Sequence, residues 1–141
     1  MTSLRLLRFL LLMLGWAMVA AAVGMVMPWS WMTAGHQAIG LGELPAAPIV
    51  DYLIRSASAL YVMHGLLCLF AARDLARRLD LAQLLGWLWL SFGVAVTIFE
   101  LMAGLPWWWV VGEAIGTIGG GLAIVVLARR GLAEAQSSSA S

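Results

Sequence analysis

Apolar residues run along this chain in four long blocks separated by short polar or Pro/Gly-rich stretches. The blocks are Leu6–Met27, Tyr52–Ala72, Leu81–Ala103 and Trp107–Ala128. Each is about 21–23 residues long, close to the ~20 that an α-helix needs to cross a ~30 Å hydrocarbon core. Only a helix satisfies every backbone N–H and C=O within such a block, so the pattern predicts four transmembrane helices. The links Arg73–Asp80 and Gly104–Pro106 are short enough to make the second, third and fourth helices antiparallel neighbours. The expected fold is all-α, an antiparallel four-transmembrane-helix bundle. Residues 1–131 form one domain, the segment 28–51 is an outer lid, and residues 132–141 are a disordered cytoplasmic tail. No internal repeat is evident, so an inverted-repeat transporter is not supported.

The first block begins with Arg5 and Arg8 and carries small residues at Ala20, Ala21 and Ala22, as a signal peptide would. Its apolar run is longer than the usual h-region, which favours a retained helix. The segment Pro28–Asp51 is punctuated by Pro28, Pro45, Pro48, Gly35, Gly40 and Gly42. Within it, Met32–Ile39 reads as a short interfacial helix that ends at Gly40. Thr33 is its candidate N-cap, and Trp29, Trp31, Met32 and Ile39 are directed to lipid.

Charge adds an orientation. Arg5, Arg8, Arg73, Arg77, Arg78, Arg129 and Arg130 all fall on one side of the four blocks, and the outer links contain no arginine. The positive-inside rule makes that side cytoplasmic, with both termini inside. Trp29, Trp31, Trp107, Trp108 and Trp109 gather at the outer boundary, and Trp87 and Trp89 toward the inner one, as aromatic belts do. Asp74 stands at i,i+3 and i,i+4 from Arg77 and Arg78, the spacing of helical ion pairs.

Composition fits the same class. The chain is 63% hydrophobic and only 11% charged. A soluble domain averages about 45–50% apolar and 25% charged, and this excess is too large for one small core. The net charge of +1 gives no ground for nucleic-acid binding. Cys68 is the single cysteine, which excludes an intrachain disulfide and a CxxC redox pair. The expected location is a bacterial inner membrane, crossed several times. The expected partners are lipid and either a second membrane protein or a second copy of the chain.

Three ionisable residues interrupt the blocks: Arg55, Glu100 and Glu113. At 1.5 Å per residue they lie about 6, 5 and 9 Å below the outer boundary, on three neighbouring helices. A charge at that depth costs at least about 2.5–3.5 kcal/mol on insertion scales. The expectation is a paired site, because an Arg fork can hold two carboxylates. Asp51 lies one turn above Arg55, and His36 belongs to the outer segment over the site. Small residues mark packing faces: Gly86, Gly93 and Thr97 with Glu100, and Gly112, Gly116 and Gly120 beside Glu113 and Thr117. On the second helix, Ser58 and Ala59 follow Arg55. His64 lies deeper and on the opposite helix face from Arg55, together with Tyr61 and Cys68. A hydrogen bond to a neighbouring helix is its expected role. The two histidines differ in depth, so haem is not expected, and no metal-ligand spacing is present.

The stretch SWM, His36, GLGELP and PIVDYLIRSASALYVMHG, from Ser30 to Gly65, together with GLPWWWVVGE, Gly104–Glu113, resembles a set of short bacterial four-helix membrane proteins. The general build is similar to the DoxX-like group. The resemblance takes in His36, Arg55, His64 and Glu113, and it implies a small four-helix membrane protein without supplying catalytic residues. The function expected is a non-enzymatic membrane module or accessory subunit. The second choice is a carrier of a small anionic or amphipathic molecule, such as a quinone or lipid headgroup, anchored by Arg55. The third is an outer-leaflet enzyme with Glu100 or Glu113 as acid/base and Arg55 stabilising an anion, for which no nucleophile or metal constellation is evident.

Overall fold

The computed structural model describes residues 2–139, with side chains from Ser3 to Glu134. Every regular element among them is helical: α1 (Thr2–Val19), α2 (Ala22–Val26), α3 (Trp29–Ala38), α4 (Pro48–Arg73), α5 (Leu79–Ala103), α6 (Trp107–Ala114) and α7 (Gly120–Ser139). A 3₁₀ turn covers Leu75–Arg77, and a π-helical segment, Ile115–Gly119, joins α6 to α7. Four stretches are long and apolar enough to cross a membrane: Ser3–Val26, Pro48–Arg73, Leu79–Ala103 and Trp107–Glu134. These contain the four apolar blocks, Met27 apart. The second starts at Pro48, a residue suited to a first helical position because its missing N–H would have no partner there.

Large apolar side chains line the outside of these helices, among them Phe9, Trp16, Leu60, Phe99 and Met102. The most apolar window of each span is only 11–33% buried within the protein. In water so much exposed hydrocarbon would drive association, whereas lipid accepts it.

The chain divides into two compact units, Leu14–Leu67 and the pair of segments Met1–Met13 with Cys68–Ser141. In the unit Leu14–Leu67, a Cβ on Gly65 would come within 2.7 Å of Gly15 O, and one on Gly24 within 2.6 Å of Ser58 Oγ. Positions 15 and 24 thus meet 65 and 58 in reversed order, so these helices are antiparallel and touch through small residues. The helix α3 begins three residues before the expected Met32, with Pro28 at its N-cap. Thr33 is therefore inside the helix and donates its hydroxyl to Trp29 O instead of capping it. Met32 is buried, not turned outward, while Trp31 and Ile39 are exposed. The helix ends as expected at Gly40, whose φ of 79° no β-carbon favours. Gly40 N donates to Gln37 O and Leu41 N to His36 O, the paired bonds of a Schellman motif.

In the other unit, α5 packs antiparallel on α7. A Cβ on Gly121 would lie 2.6 Å from Leu90 N and 2.9 Å from Gly86 O, and one on Gly93 would lie 2.5 Å from Thr117 Oγ1. The close stripe is thus Thr117, Gly121 and Val125, not the expected Gly112 and Gly116. Gly112 and Gly116 have nothing within 4 Å of a modest Cβ. The π segment is the physical reason: its extra residue per turn shifts the helix face between α6 and α7. Gly104, at φ 69°, ends α5 and reverses the chain into α6.

The turn between α4 and α5 differs in detail from expectation. Asp74 takes Arg77 at 3.7 Å, but Arg78 turns away, donating to Phe70 O and lying over the Phe70 ring at 3.7 Å. The helix α7 runs on to Ser139, and Ser3 donates to Glu134 at 2.7 Å. The sequence GLAEAQ is rich in helix formers, which suits it to this last part of α7. Ala140 and Ser141 lie outside the described residues.

Candidate functional site

Two polar centres emerge, one in each unit. The first is built on Arg55, four residues after Asp51 on α4. Arg55 Nη2 lies 2.9 Å from Asp51 Oδ1, and Nε donates to both carboxylate oxygens at 3.0 Å. The remaining donors reach backbone: Nη1 to Met25 O at 2.6 Å and Nη2 to Met27 O at 3.4 Å. These carbonyls belong to the end of α2, where the last turn leaves acceptors without intrahelical partners. Arg55 therefore caps one helix while pairing along another. Its side chain is 36% exposed and that of Asp51 39%, so the pair is not buried as expected. Trp29, Ala46, Ala47, Pro48, Asp51 and Arg55 line a pocket of about 330 Å³ beside it. His36 stands off from the pair, with Nδ1 2.9 Å from Gly42 O, and ties α3 to the loop that follows.

The second centre joins Glu100 near the end of α5 to Trp109 and Glu113 on α6. Trp109 Nε1 donates to Glu100 Oε1 at 2.9 Å. The tight turn through Gly104 makes this possible, because it folds α6 back beside the last turn of α5. The Glu113 carboxyl lies within interaction range of both the Glu100 carboxyl and the Trp109 indole. Glu100 is 5% exposed, and its second oxygen, Oε2, is buried and accepts no hydrogen bond. Such an orphan acceptor costs about 1–3 kcal/mol unless a donor reaches it. The π segment begins two residues after Glu113. Thr117 donates back to Glu113 O at 2.7 Å, and Trp89 Nε1 donates to Gly116 O at 3.3 Å. A neighbouring helix thus serves a carbonyl of the widened turn.

The residues expected in one cluster are therefore held by different partners: Arg55 by Asp51 and two carbonyls, Glu100 by Trp109 and Glu113. Counting depth along helices places charges at a level but says nothing of azimuth, and it overlooks carbonyls at helix ends. From sequence Trp109 reads as part of the aromatic belt and not as a donor. Its position just past a three-residue reversal from Glu100 was the available signal. Tyr61 and His64 are half-buried on α4, and neither is without a partner. Among the described residues, no group of three or more His, Cys, Asp and Glu could hold a metal ion.

The chain matches no family model, and neither a curated protein nor a solved structure proves similar to it.

Proposed function

We propose that this chain is a non-enzymatic module of a bacterial inner membrane, an accessory subunit whose Arg–carboxylate centre near the outer face maintains its shape. Both termini are cytoplasmic, the four spans assemble as an antiparallel bundle, and residues 28–51 form its outer lid. The likeness to short four-helix membrane proteins of DoxX-like build belongs to this reading. The observation that carries it is the engagement of Arg55: Asp51 and the carbonyls of Met25 and Met27 take up its donors, as a structural clamp requires. The one-sided distribution of arginines supports the orientation.

The pocket of about 330 Å³ beside Arg55 favours a second reading, a carrier of a small anionic or amphipathic molecule. A tagged chain extracted in mild detergent distinguishes the two. An accessory subunit retains a stoichiometric membrane-protein partner and keeps it in Arg55→Lys. A carrier emerges alone, with a small molecule that is lost in Arg55→Gln. Cysteine labelling from outside intact cells checks the topology: Ala46→Cys reacts and Ala133→Cys does not.

A further inference from the structure

Arg55 is fully engaged, whereas Arg5, Arg8 and Arg73 are not. Arg5 and Arg8 project from α1 one turn apart, and Arg73 ends α4; together with Leu4, Ala72, Asp74, Leu75 and Ala76 they line a pocket of about 280 Å³. Among the described residues, none of the three guanidiniums takes a side-chain or carbonyl partner. Asp74, the lone acid on the rim, is shared with Arg77 at 3.7 Å. Ala72 and Leu75 give the pocket a buried apolar floor. Three fixed positive charges from chain-distant elements, converging unpaired over hydrocarbon, leave a positive concavity that a counter-anion stabilises.

We propose that Arg5, Arg8 and Arg73 bind the phosphodiester headgroup of an anionic phospholipid. The location decides the source of the phosphate. All three arginines lie at the ends of membrane-spanning stretches, where headgroups meet the hydrocarbon boundary. Basic pockets between spans on the cytoplasmic side are suited to such lipids. The guanidinium fork accepts a phosphate with two parallel N–H···O bonds, and three forks can share its oxygens without desolvating a buried charge. The acyl chains then continue along the exposed apolar faces of α1, where Leu6, Phe9 and Met13 stand outward.

The test is native mass spectrometry of the full chain released from detergent, titrated with dioleoylphosphatidylglycerol, dioleoylphosphatidylcholine or inorganic phosphate. Phosphatidylglycerol is expected to bind first and in a one-to-one complex, ahead of phosphatidylcholine. Each of Arg5→Gln, Arg8→Gln and Arg73→Gln should weaken it about fivefold, the effect of about 1 kcal/mol per basic residue. Arg129→Gln with Arg130→Gln removes two charges elsewhere on the basic side and serves as the control. It should leave that complex within about twofold, being outside the pocket. Equal binding of the two lipids by the unaltered chain overturns the proposal without relying on any variant. So does an equal loss in the Arg129/Arg130 control, which would mean diffuse charge attraction. Binding of inorganic phosphate as tight as phosphatidylglycerol overturns the lipid as the source.

Discussion

Arg55 and Glu100 are both charges set into apolar helices, and the structure treats them in opposite ways. Arg55 is surrounded by acceptors: a carboxylate one turn away and two carbonyls at a helix end. Glu100 is more deeply buried but meets one donor, Trp109, and a second carboxyl group, Glu113. The first centre is complementary and partly wet; the second is short of donors and dry. Complementarity suggests a charge retained to hold structure, while a deficit suggests one whose removal relieves strain. Packing contrasts by position and not by unit: Gly24 faces the movable hydroxyl of Ser58, whereas Gly65 and Gly121 face backbone atoms of the helix beside them.

The packing contrast gives the largest expected effect. Gly121→Ala puts a methyl against Leu90 N and Gly86 O, neither of which can rotate aside. The α5–α7 pair must separate, at a cost of about 3 kcal/mol. Gly24→Ala meets Ser58 Oγ, which has other rotamers, and should cost under about 1 kcal/mol. Denaturant unfolding in mild detergent, followed by circular dichroism, ranks the two. Equal losses would mean that α5 and α7 are not held at backbone contact.

Arg55→Ala comes next, at about 2–3 kcal/mol, because it leaves Asp51 and two helix-end carbonyls without their donor. Adding Asp51→Asn should recover part of that loss, since the abandoned carboxylate is then neutral. Adding Glu113→Gln to Arg55→Ala should recover nothing. Recovery by Glu113→Gln and none by Asp51→Asn, in the same unfolding assay, would return Arg55 to the three-residue cluster expected from depth.

Trp109→Phe keeps an aromatic ring on α6 but removes the five-membered ring of the indole with its N–H, the donor that Glu100 accepts. The expected cost is about 1–2 kcal/mol. The parallel change Trp108→Phe should be near neutral, because Trp108 packs edge-on against Trp109 and its aromatic face survives the change. Indistinguishable unfolding midpoints for the two variants would remove Trp109 from the centre.

How far these centres were legible in the sequence follows from the range of each signal. A twenty-residue apolar run is a local property, so the four membrane-crossing stretches could be found without any tertiary information. The Asp51–Arg55 spacing was also in plain view, as an i,i+4 pair, but shared depth with Glu100 and Glu113 drew the expected pairing away from it. The π segment left no compositional mark. One added residue per turn between Glu113 and Gly120 changes no hydropathy, yet it moves the close stripe from Gly116 to Thr117 and Gly121. The carbonyls of Met25 and Met27 belong to no side chain, so a search among ionisable residues does not find them. They become acceptors only because α2 ends there.

The smallest expected effect separates the centres most sharply, because its sign reverses. Glu100→Gln keeps the shape of the side chain, and its amide oxygen still accepts from Trp109 Nε1. In place of Oε2, which accepts nothing, the amide nitrogen offers a donor to the Glu113 carboxyl, and the crowding of two facing carboxyl groups ends. Stability should stay level or rise by about 0.5–1 kcal/mol. The matching neutralisation on the other side, Arg55→Gln, removes charge from a complementary centre and should lower stability. Both are read in one experiment, as unfolding midpoints in the same detergent. If Glu100→Gln destabilises as much as Arg55→Gln, Glu100 has a cationic partner and the donor deficit at its carboxylate is refuted. If it stabilises while Arg55→Gln destabilises, the clamp and the strained acid pair are two different uses of charge within one small membrane protein.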